Sequence, residues 1–530
     1  MSRVSREIDL VDRPGLRAAA WLFVGQAGPP ATGHLRARWI FLRALGVIFF
    51  SAFTSLAFQI QGLIGPTGIL PATDYLRRVA RAFPGLSRFW YAPTLLWLDA
   101  GHGALAALVV VGASASVLLV LNVAPRVAVL VAFVAFLSFV GAAQEFASYQ
   151  SDGMLLEASF IALFWAPNGV RPKLGADQPP ARAPTFLLLW EWFRIYFESG
   201  IVKLASGDPT WRDLSAMDHY YENGPLPTCV GWYVQHLGHR FHAATAGLTL
   251  VVEFGLVWMF FFGRRPRLVC FVIVTSLQVG IIATANYAFL NYLVLALGFL
   301  LLDDAHYDWV ARKLRRLGNT RATPALIGEE PGSPVREAPR AAWRMMVPAI
   351  ALSWVFYATC AELLLGEAPP ELQWLNWPVR ALEPFRIANR YGLFAVMTPA
   401  RYEIEFQGSR DGVKWTAYPF RYKPQALDAA PGIYAPYQPR FEWNLWFASL
   451  GSCADNRWVI QAEARLLEND ASVLELFRAN PFVTTPPAFV RTVAFQYWFT
   501  DLATKRSTGR WWWRDEIGPY CPTVQRKARG

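Results

Sequence analysis

Charged residues are scarce in this sequence. Asp, Glu, Lys and Arg make up 17% of its 530 residues, against about 25% in soluble domains. Acidic residues (39) are fewer than basic ones (50), which gives a formal net charge of +11. The basic residues lie mostly in short segments between apolar stretches, so they indicate orientation in a membrane rather than binding to nucleic acid. This composition excludes an ordinary soluble protein.

Cysteine is also scarce, with five residues, no C-x-x-C motif and no metal-spaced Cys/His cluster. We therefore predict no metal site, and no motif identifies a cofactor. Cys453 and Cys521 both fall in the C-terminal region, where an oxidising compartment would allow a disulfide. Free buried thiols fit the sequence equally well. The sequence also has no nucleophile elbow and no phosphate-binding glycine loop.

Apolar residues are abundant: 54% of the chain is hydrophobic, with 37 Phe and 23 Trp. A membrane span needs about 20 mostly apolar residues. On that basis we predict nine spans: Trp39–Gln59, Gly101–Leu121, Val127–Ser148, Asp152–Trp165, Thr185–Leu204, Ala243–Phe262, Leu268–Thr284, Tyr287–Leu302 and Trp343–Leu365. Residues 72–82 carry three arginines in a helical pattern, which predicts a helix lying along the membrane surface.

The loop charges predict a direction for this stack of helices. The Arg-rich segment 1–38 and the Arg- and Lys-rich stretch 303–342 fall on the same side, which the positive-inside rule assigns to the cytoplasm. We therefore predict a cytoplasmic N-terminal segment (1–38), a transmembrane domain (39–365) with a cytoplasmic linker (303–342), and an extracytoplasmic domain (366–530), which we call the outer domain after this predicted position.

The C-terminal region changes its hydrophobic period. Residues 401–407 alternate between apolar and polar, residues 409–412 form a turn, and residues 415–422 return as a second strand. Residues 490–500 and 511–513 form another pair of strands, and residues 441–450 and 457–479 read as helices. The predicted fold is a polytopic α-helical membrane protein whose C-terminal α+β domain contains a β-sandwich.

Ionisable residues inside the predicted spans are candidates for function, because they are costly in a bilayer. Glu191, Arg194 and Glu198 fall within about 60° of one another on a helix, so they can form a neutral cluster. Glu157 in the fourth span needs a partner such as Arg194 or Arg43, and Asp152 is suited to capping that helix. A structural ion-pair cluster is the alternative to a functional one.

Lys203, at the outer end of the fifth span, is the leading candidate for catalysis. A desolvated lysine can act as a general base, and Glu198, His219 and Tyr220 complete the catalytic candidates. The alternative is a structural ion pair, or a lysine that extends to the membrane surface. Tryptophans of the outer domain could instead hold a client protein: Trp443, Trp446, Trp511 and Trp512. The alternative for these residues is the core of their own domain.

Several segments resemble the lipase maturation factor family, in order along nearly the whole chain: Gly62–Pro71, Tyr149–Leu156, Gly200–Leu204, Gly207–Leu214, His219–Glu222, Asn389–Phe394, Glu405–Ser409, Pro436–Arg440 and Arg465–Glu468. The high Ala, Arg and Pro content suggests a bacterial member. The resemblance implies a protein that assists the folding or maturation of exported proteins such as lipases, in a bacterial inner membrane or, for a eukaryotic member, the endoplasmic reticulum. Membrane lipid and a client lipase are the implied partners.

A second resemblance concerns the segment around Lys203. Tyr196-Phe197, Ser199-Gly200, Lys203-Leu204 and Trp211 look like the segment of vitamin K-dependent γ-glutamyl carboxylases that carries their catalytic lysine. Lys203 would fall on that base, although we identify no quinol site. The resemblance implies an alternative function, an intramembrane enzyme of carboxylase-like fold. Whether the protein is an enzyme is left open by its sequence.

Overall fold

A computed structural model of the protein describes residues 22–23, 33–317, 343–365 and 370–526. The part of the chain before the first strand is helical. Its α-helices are α1 Leu35–Ala57, α2 Ile60–Ile64, α3 Ala72–Ala82, α4 Ser87–Tyr91, α5 His102–Val120, α6 Pro125–Val140, α7 Gln150–Trp165, α8 Arg182–Ala205, α9 Pro209–Arg212, α10 Ala216–Asn223, α11 Cys229–Gln235, α12 His239–Leu250, α13 Arg264–Thr284, α14 Leu290–Gly298, α15 Asp304–Leu317, α16 Trp343–Leu365 and α17 Trp377–Leu382.

Five helical segments in the described residues are long and apolar enough to cross a membrane: Leu35–Ala57, His102–Val120, His239–Phe261, Arg264–Thr284 and Met346–Leu364. The predicted membrane domain is thus confirmed, but the predicted number of nine spans is not. α6 and Leu290–Leu301 are apolar but shorter, and α7 has only 16 residues. A straight crossing takes about 20 residues. α8 is long enough, with 24 residues, but it carries four charged side chains at its centre and outer end.

Two glycines allow α1 and α5 to pack closely. A β-carbon on Gly112 would lie 2.2 Å from the Phe53 ring, and one on Gly46 would lie 2.8 Å from Val120. Small residues at helix contacts are the usual way in which membrane helices approach each other. The helix predicted over 72–82 is present as α3, with Arg77, Arg78 and Arg81 exposed, and its position along the membrane surface stays a prediction.

The predicted linker 303–342 begins as a helix that is anchored to α1. The Asp304 carboxylate accepts hydrogen bonds from the backbone N–H groups of Leu35 (3.1 Å) and Arg36 (2.8 Å). The start of α15 and the start of α1 therefore lie together at one end of the bundle. The rest of the predicted linker, residues 318–342, and most of the predicted segment 1–38 lie outside the described residues.

The outer domain contains one antiparallel sheet in the order β2-β1-β3-β4. Its elements are β1 Arg401–Ser409, β2 Thr416–Ala417, α18 Arg440–Ser449, α19 Trp458–Glu468, α20 Ala471–Leu474, β3 Phe489–Phe499, α21 Leu502–Thr508 and β4 Trp512–Gln525. The predicted β-sandwich is not confirmed, because one face of this sheet packs on helices: Phe406 of β1 contacts Phe441 of α18. A disulfide joins Cys453 to Cys521 of β4.

Two boundaries of the outer domain differ from the prediction. The strand predicted over 415–422 is only two residues long. It ends early because the chain turns and gives the backbone N–H groups of residues 421–423 to the buried Glu442 carboxylate. The helix predicted over 457–479 is broken at Asn469, which adopts a left-handed conformation, and Asp470 caps α20.

Candidate functional site

Four of the five charged side chains of α8 point into the protein, whereas Arg182, its first residue, is exposed. Glu191, Arg194, Glu198 and Lys203 are each at most 4% exposed. Arg194 forms an ion pair with Glu157 of α7 and a longer contact of 3.7 Å with Glu198. The sequence had suggested Arg194 as one of two possible partners for Glu157. Neither carboxyl oxygen of Glu191 accepts a hydrogen bond within the described part of the chain. Arg194, Glu157 and Glu198 therefore lie together, and Glu191 does not share their hydrogen bonds.

The remaining partners of this cluster come from residues 386–398, which we call the threaded segment. It has no helix or strand and lies between α17 and β1. Glu157 accepts hydrogen bonds from the backbone and side-chain N–H groups of Asn389, both at 3.0 Å, and from the Tyr391 hydroxyl at 2.9 Å. The backbone N–H of Tyr391 donates to Glu198 at 2.5 Å, and Arg194 donates to the Asn389 carbonyl at 2.6 Å.

The threaded segment continues along the outer half of α8 and into the loop that follows it. Its further backbone contacts run to side chains of the membrane domain: Gln150, Ser199, Asp208, Trp211 and Asn223. Irregular backbone is tolerated inside a membrane protein only where protein groups satisfy its N–H and C=O groups. The polar residues of α7 and α8 supply those groups, and the segment in turn neutralises the polar residues.

Lys203 is held in a buried ion pair. Its ammonium lies 2.7 and 3.0 Å from the carboxylate oxygens of Glu253 and donates to the Leu393 carbonyl at 3.0 Å. Glu253 lies in the π-helical turn Val251–Gly255 that follows α12. Gly200 permits the close approach of this turn, because a β-carbon there would lie 3.2 Å from that of Glu253. The N–H donors of the Lys203 ammonium are therefore used within the protein.

Asp152 does not cap α7 as the sequence suggested. Its two carboxylate oxygens instead accept hydrogen bonds from Arg440 of α18, both at 2.7 Å, and both side chains are fully buried. Arg440 also donates to the Phe146 carbonyl at 2.8 Å and lies over the Phe139 ring. A bidentate pair of this kind fixes orientation, so Arg440 locks the outer domain onto the membrane domain.

The loop between α8 and α12 does not bring His219 and Tyr220 to Lys203 by any hydrogen bond among the described residues. The Tyr220 ring packs against Tyr287 and Phe394, and His219 is half-buried. The loop's polar centre is Asp218, which lies 2.7 Å from both His239 and His242. Burial by itself raises the pKa of Asp218, but the hydrogen bonds from His239 and His242 lower that pKa below its ordinary value.

The four tryptophans that were candidates for client binding lie mostly inside the protein. Trp443, Trp446 and Trp512 are at most 8% exposed. Trp511 packs on Trp232 of α11 at 5.0 Å between ring centres, and its carbonyl accepts a hydrogen bond from the Trp232 indole. They therefore belong to the outer domain's core and to its contact with the membrane domain, and they do not offer a client an exposed surface.

The contact between the domains is extended by Arg401, which the sequence did not single out. Its guanidinium donates to the backbone carbonyls of Glu222, Gly224 and Pro225, at the end of α10 and directly after it, and pairs with Glu403. Among the described residues, no group of three His, Cys, Asp or Glu side chains is placed to hold a metal ion. The hydrogen bonds of Arg401 and Arg440 join the two domains.

Sequence reasoning missed the threaded segment, Arg440 and Glu253 as partners of the intramembrane charges. One signal was available: each ionisable residue in a span needs a partner. Charge pattern alone could not locate these partners, because they lie far away in the chain or, for the threaded segment, are backbone groups that carry no residue signature.

Comparison with known proteins places this architecture in a family. Residues 36–309 match the lipase maturation factor transmembrane domain, and residues 387–522 match the lipase maturation factor C-terminal domain. Lipase maturation factor 2 of Gallus gallus is 31% identical over 92% of this chain and 81% of its own length. Lipase maturation factor 1 of Mus musculus is 30% identical over 94% of this chain and 89% of its own length. No solved structure matches the chain. The protein belongs to the lipase maturation factor family.

Proposed function

We propose that this protein is a membrane-embedded factor that assists the folding or maturation of exported proteins such as lipases, without covalent chemistry of its own. Its relatives are named for lipase maturation. The observation that carries the non-enzymatic part is the pairing of Lys203, the leading candidate base, with Glu253 and the Leu393 carbonyl. A general base needs an accessible lone pair near its substrate, whereas this ammonium is 1% exposed. The carboxylase-like alternative is therefore not supported.

The two domains act as one scaffold in this proposal. The threaded segment, Arg401 and Arg440 fix the outer domain on the outer ends of the membrane helices by buried, charge-assisted hydrogen bonds. A client that contacts the outer domain is then held at a constant distance from the bilayer. Membrane lipid is the second partner, because apolar side chains such as Val110 and Val117 of α5 are exposed on the helix surface.

The proposed topology has the N-terminus in the cytoplasm and residues 366–530 on the outer side, in the inner membrane of a bacterium. Nine crossings are consistent with this arrangement if α6, α7, α8 and α14 also span the bilayer. The starts of α1 and α15 lie together at one end of the helix bundle, which supports placing segments 1–38 and 303–342 on the same side of the membrane. Fusing alkaline phosphatase or green fluorescent protein to the C-terminus tests the direction: an active phosphatase and a dark fluorescent protein are expected, and the opposite result would reverse the topology.

The function is tested by deleting the gene from a bacterium that exports a lipase. We expect the amount of secreted lipase antigen to change less than its activity, so that activity per molecule falls and is restored by the wild-type gene. Equal specific activity with and without the gene would show that this lipase does not depend on the protein. Expression of the unmodified gene from a plasmid is the matched control.

A further inference from the structure

The outer domain contains a cleft of about 390 Å³ between its sheet and the loop that follows β2. Glu405 of β1 and Arg514 of β4 lie on the sheet side, and Tyr422 and Tyr434 lie on the loop side. Three prolines of the lining, Pro419, Pro424 and Pro431, restrict the backbone of the loop. Ligand sites usually measure about 300–1,000 Å³, so the cleft is large enough for part of a peptide.

The lining of the cleft is predominantly cationic. Its charged residues are four cations and one carboxylate: Arg421, Lys423, Arg478, Arg514 and Glu405. The carboxylate is already used, since Glu405 accepts hydrogen bonds from Arg514 at 3.1 Å and Gln425 at 3.0 Å. Lys423 is likewise paired, with Glu403 at 2.6 Å. The excess positive charge therefore belongs to Arg421 and Arg478.

These two arginines are exposed and adjacent. Each uses one nitrogen on a backbone carbonyl: Arg421 donates to Glu475 at 3.0 Å, and Arg478 donates to Arg421 at 3.3 Å. Neither forms an ion pair with another residue of the described chain. Backbone anchoring leaves the other N–H groups of both guanidinium groups available, and the planar fork of arginine matches a carboxylate well.

The position of the cleft suits an exported chain. Pro227 of the membrane domain's outer loop contributes to its wall. The backbone N–H of Tyr434 donates at 2.7 Å to Asn286, which lies at the turn between α13 and α14. The cleft is thus fixed at the junction of the outer domain with the ends of the membrane helices.

We propose that this cleft binds an extended peptide segment of the client that carries carboxylate side chains between proline or apolar residues. The arginines would pair with the carboxylates, and Tyr422 and Tyr434 would cover the apolar residues. This inference rests on the proposed function, and it gives the outer domain the client-binding surface that its buried tryptophans do not supply.

The test uses the full-length protein in phosphatidylcholine nanodiscs and fluorescein-labelled peptides of alternating Glu and Pro or of alternating Gln and Pro. Fluorescence anisotropy should show binding of the Glu peptide that weakens with added salt. R421Q/R478Q removes two exposed charge pairs and is expected to weaken binding about tenfold, which corresponds to about 1.4 kcal/mol. The matched control, R457Q/R506Q, removes two exposed arginines outside the cleft and should bind as the wild type does.

Equal weakening by both double variants, or equal binding of the Glu and Gln peptides, would overturn the proposal. So would loss of binding to phosphatidylglycerol vesicles in R421Q/R478Q with unchanged peptide binding, since the cleft would then be a lipid headgroup site. Thermal unfolding of both variants checks that they fold. Measuring secreted lipase activity in strains that express the wild type or R421Q/R478Q separates the cleft proposal from the proposed function. If lipase activity depends on the protein but not on these arginines, only the cleft proposal fails.

Discussion

The Lys203–Glu253 pair allows a structural role to be separated from a catalytic one. Lys203→Met leaves the Glu253 carboxylate buried without its cation, and Glu253→Leu leaves the ammonium without its anion. Breaking a buried ion pair from one side costs about 3–5 kcal/mol. We therefore expect each single variant to unfold at a clearly lower temperature than the wild type and to show reduced lipase maturation.

The double variant Lys203→Met/Glu253→Leu removes both charges and should recover much of this loss. It does not recover all of it, because the Leu393 carbonyl loses its donor, and an unsatisfied buried polar group costs about 1–3 kcal/mol. The expected order of stability is wild type, then the double variant, then either single variant.

Thermal unfolding of the purified proteins in detergent measures this order, and lipase activity per secreted molecule measures function. Maturation should follow stability, so the double variant should be more active than Lys203→Met. A double variant that is stable but as inactive as Lys203→Met would refute the structural role and restore Lys203 as a candidate base. A double variant no more stable than the singles would refute the ion-pair reasoning itself.

Four further predictions concern the rest of the chain. Glu157→Gln should destabilise the protein by about 3–5 kcal/mol, because it leaves Arg194 without its main counter-ion. Glu191→Gln should be neutral or stabilising, because that carboxyl accepts no hydrogen bond among the described residues; thermal unfolding compares the two variants, and equal losses would contradict us. Burial raises the pKa of Glu463 to about 8, against an ordinary value of 4.5, although a hydrogen bond from Thr492 opposes this. The protonated native form therefore contributes stability that is complete below about pH 4.5 and is lost as the pH rises through about 8. Glu463→Gln should flatten the pH dependence of unfolding in that range, and an unchanged profile would count against the buried acid. Deleting residues 384–530 should leave a membrane domain that aggregates in gel filtration, because it removes the threaded segment; a monodisperse fragment would show that the segment is dispensable.

Much of the architecture could be predicted because its signals are local. The apolar stretches located the helices at the membrane, the change to alternating apolar and polar residues located β1 and β3, and the Arg pattern over 72–82 located α3. Counting the spans was harder, because α7 and α8 carry the polar residues that bind the threaded segment. Hydropathy does not show whether a helix with such polar residues crosses the membrane or is buried inside the protein without crossing it.

Sequence reasoning singled out charged residues of the candidate site, but it did not predict that they bind the threaded segment. The expectation that Arg194 could neutralise Glu157 rested on charge, and the structure joins them. The partner of Lys203 could not be inferred, because Glu253 lies 50 residues away and is aimed by a π-helical turn that leaves no clear sequence pattern. The tryptophans of the outer domain were similarly ambiguous, since burial depends on which elements cover them.

The most direct test of a non-enzymatic role is the intact mass of the client. Lipase would be purified from cells with and without this protein and compared by mass spectrometry and by activity per molecule. We expect identical masses and higher specific activity when the protein is present. A mass difference that disappears in Lys203→Ala would show covalent modification and would contradict the proposal.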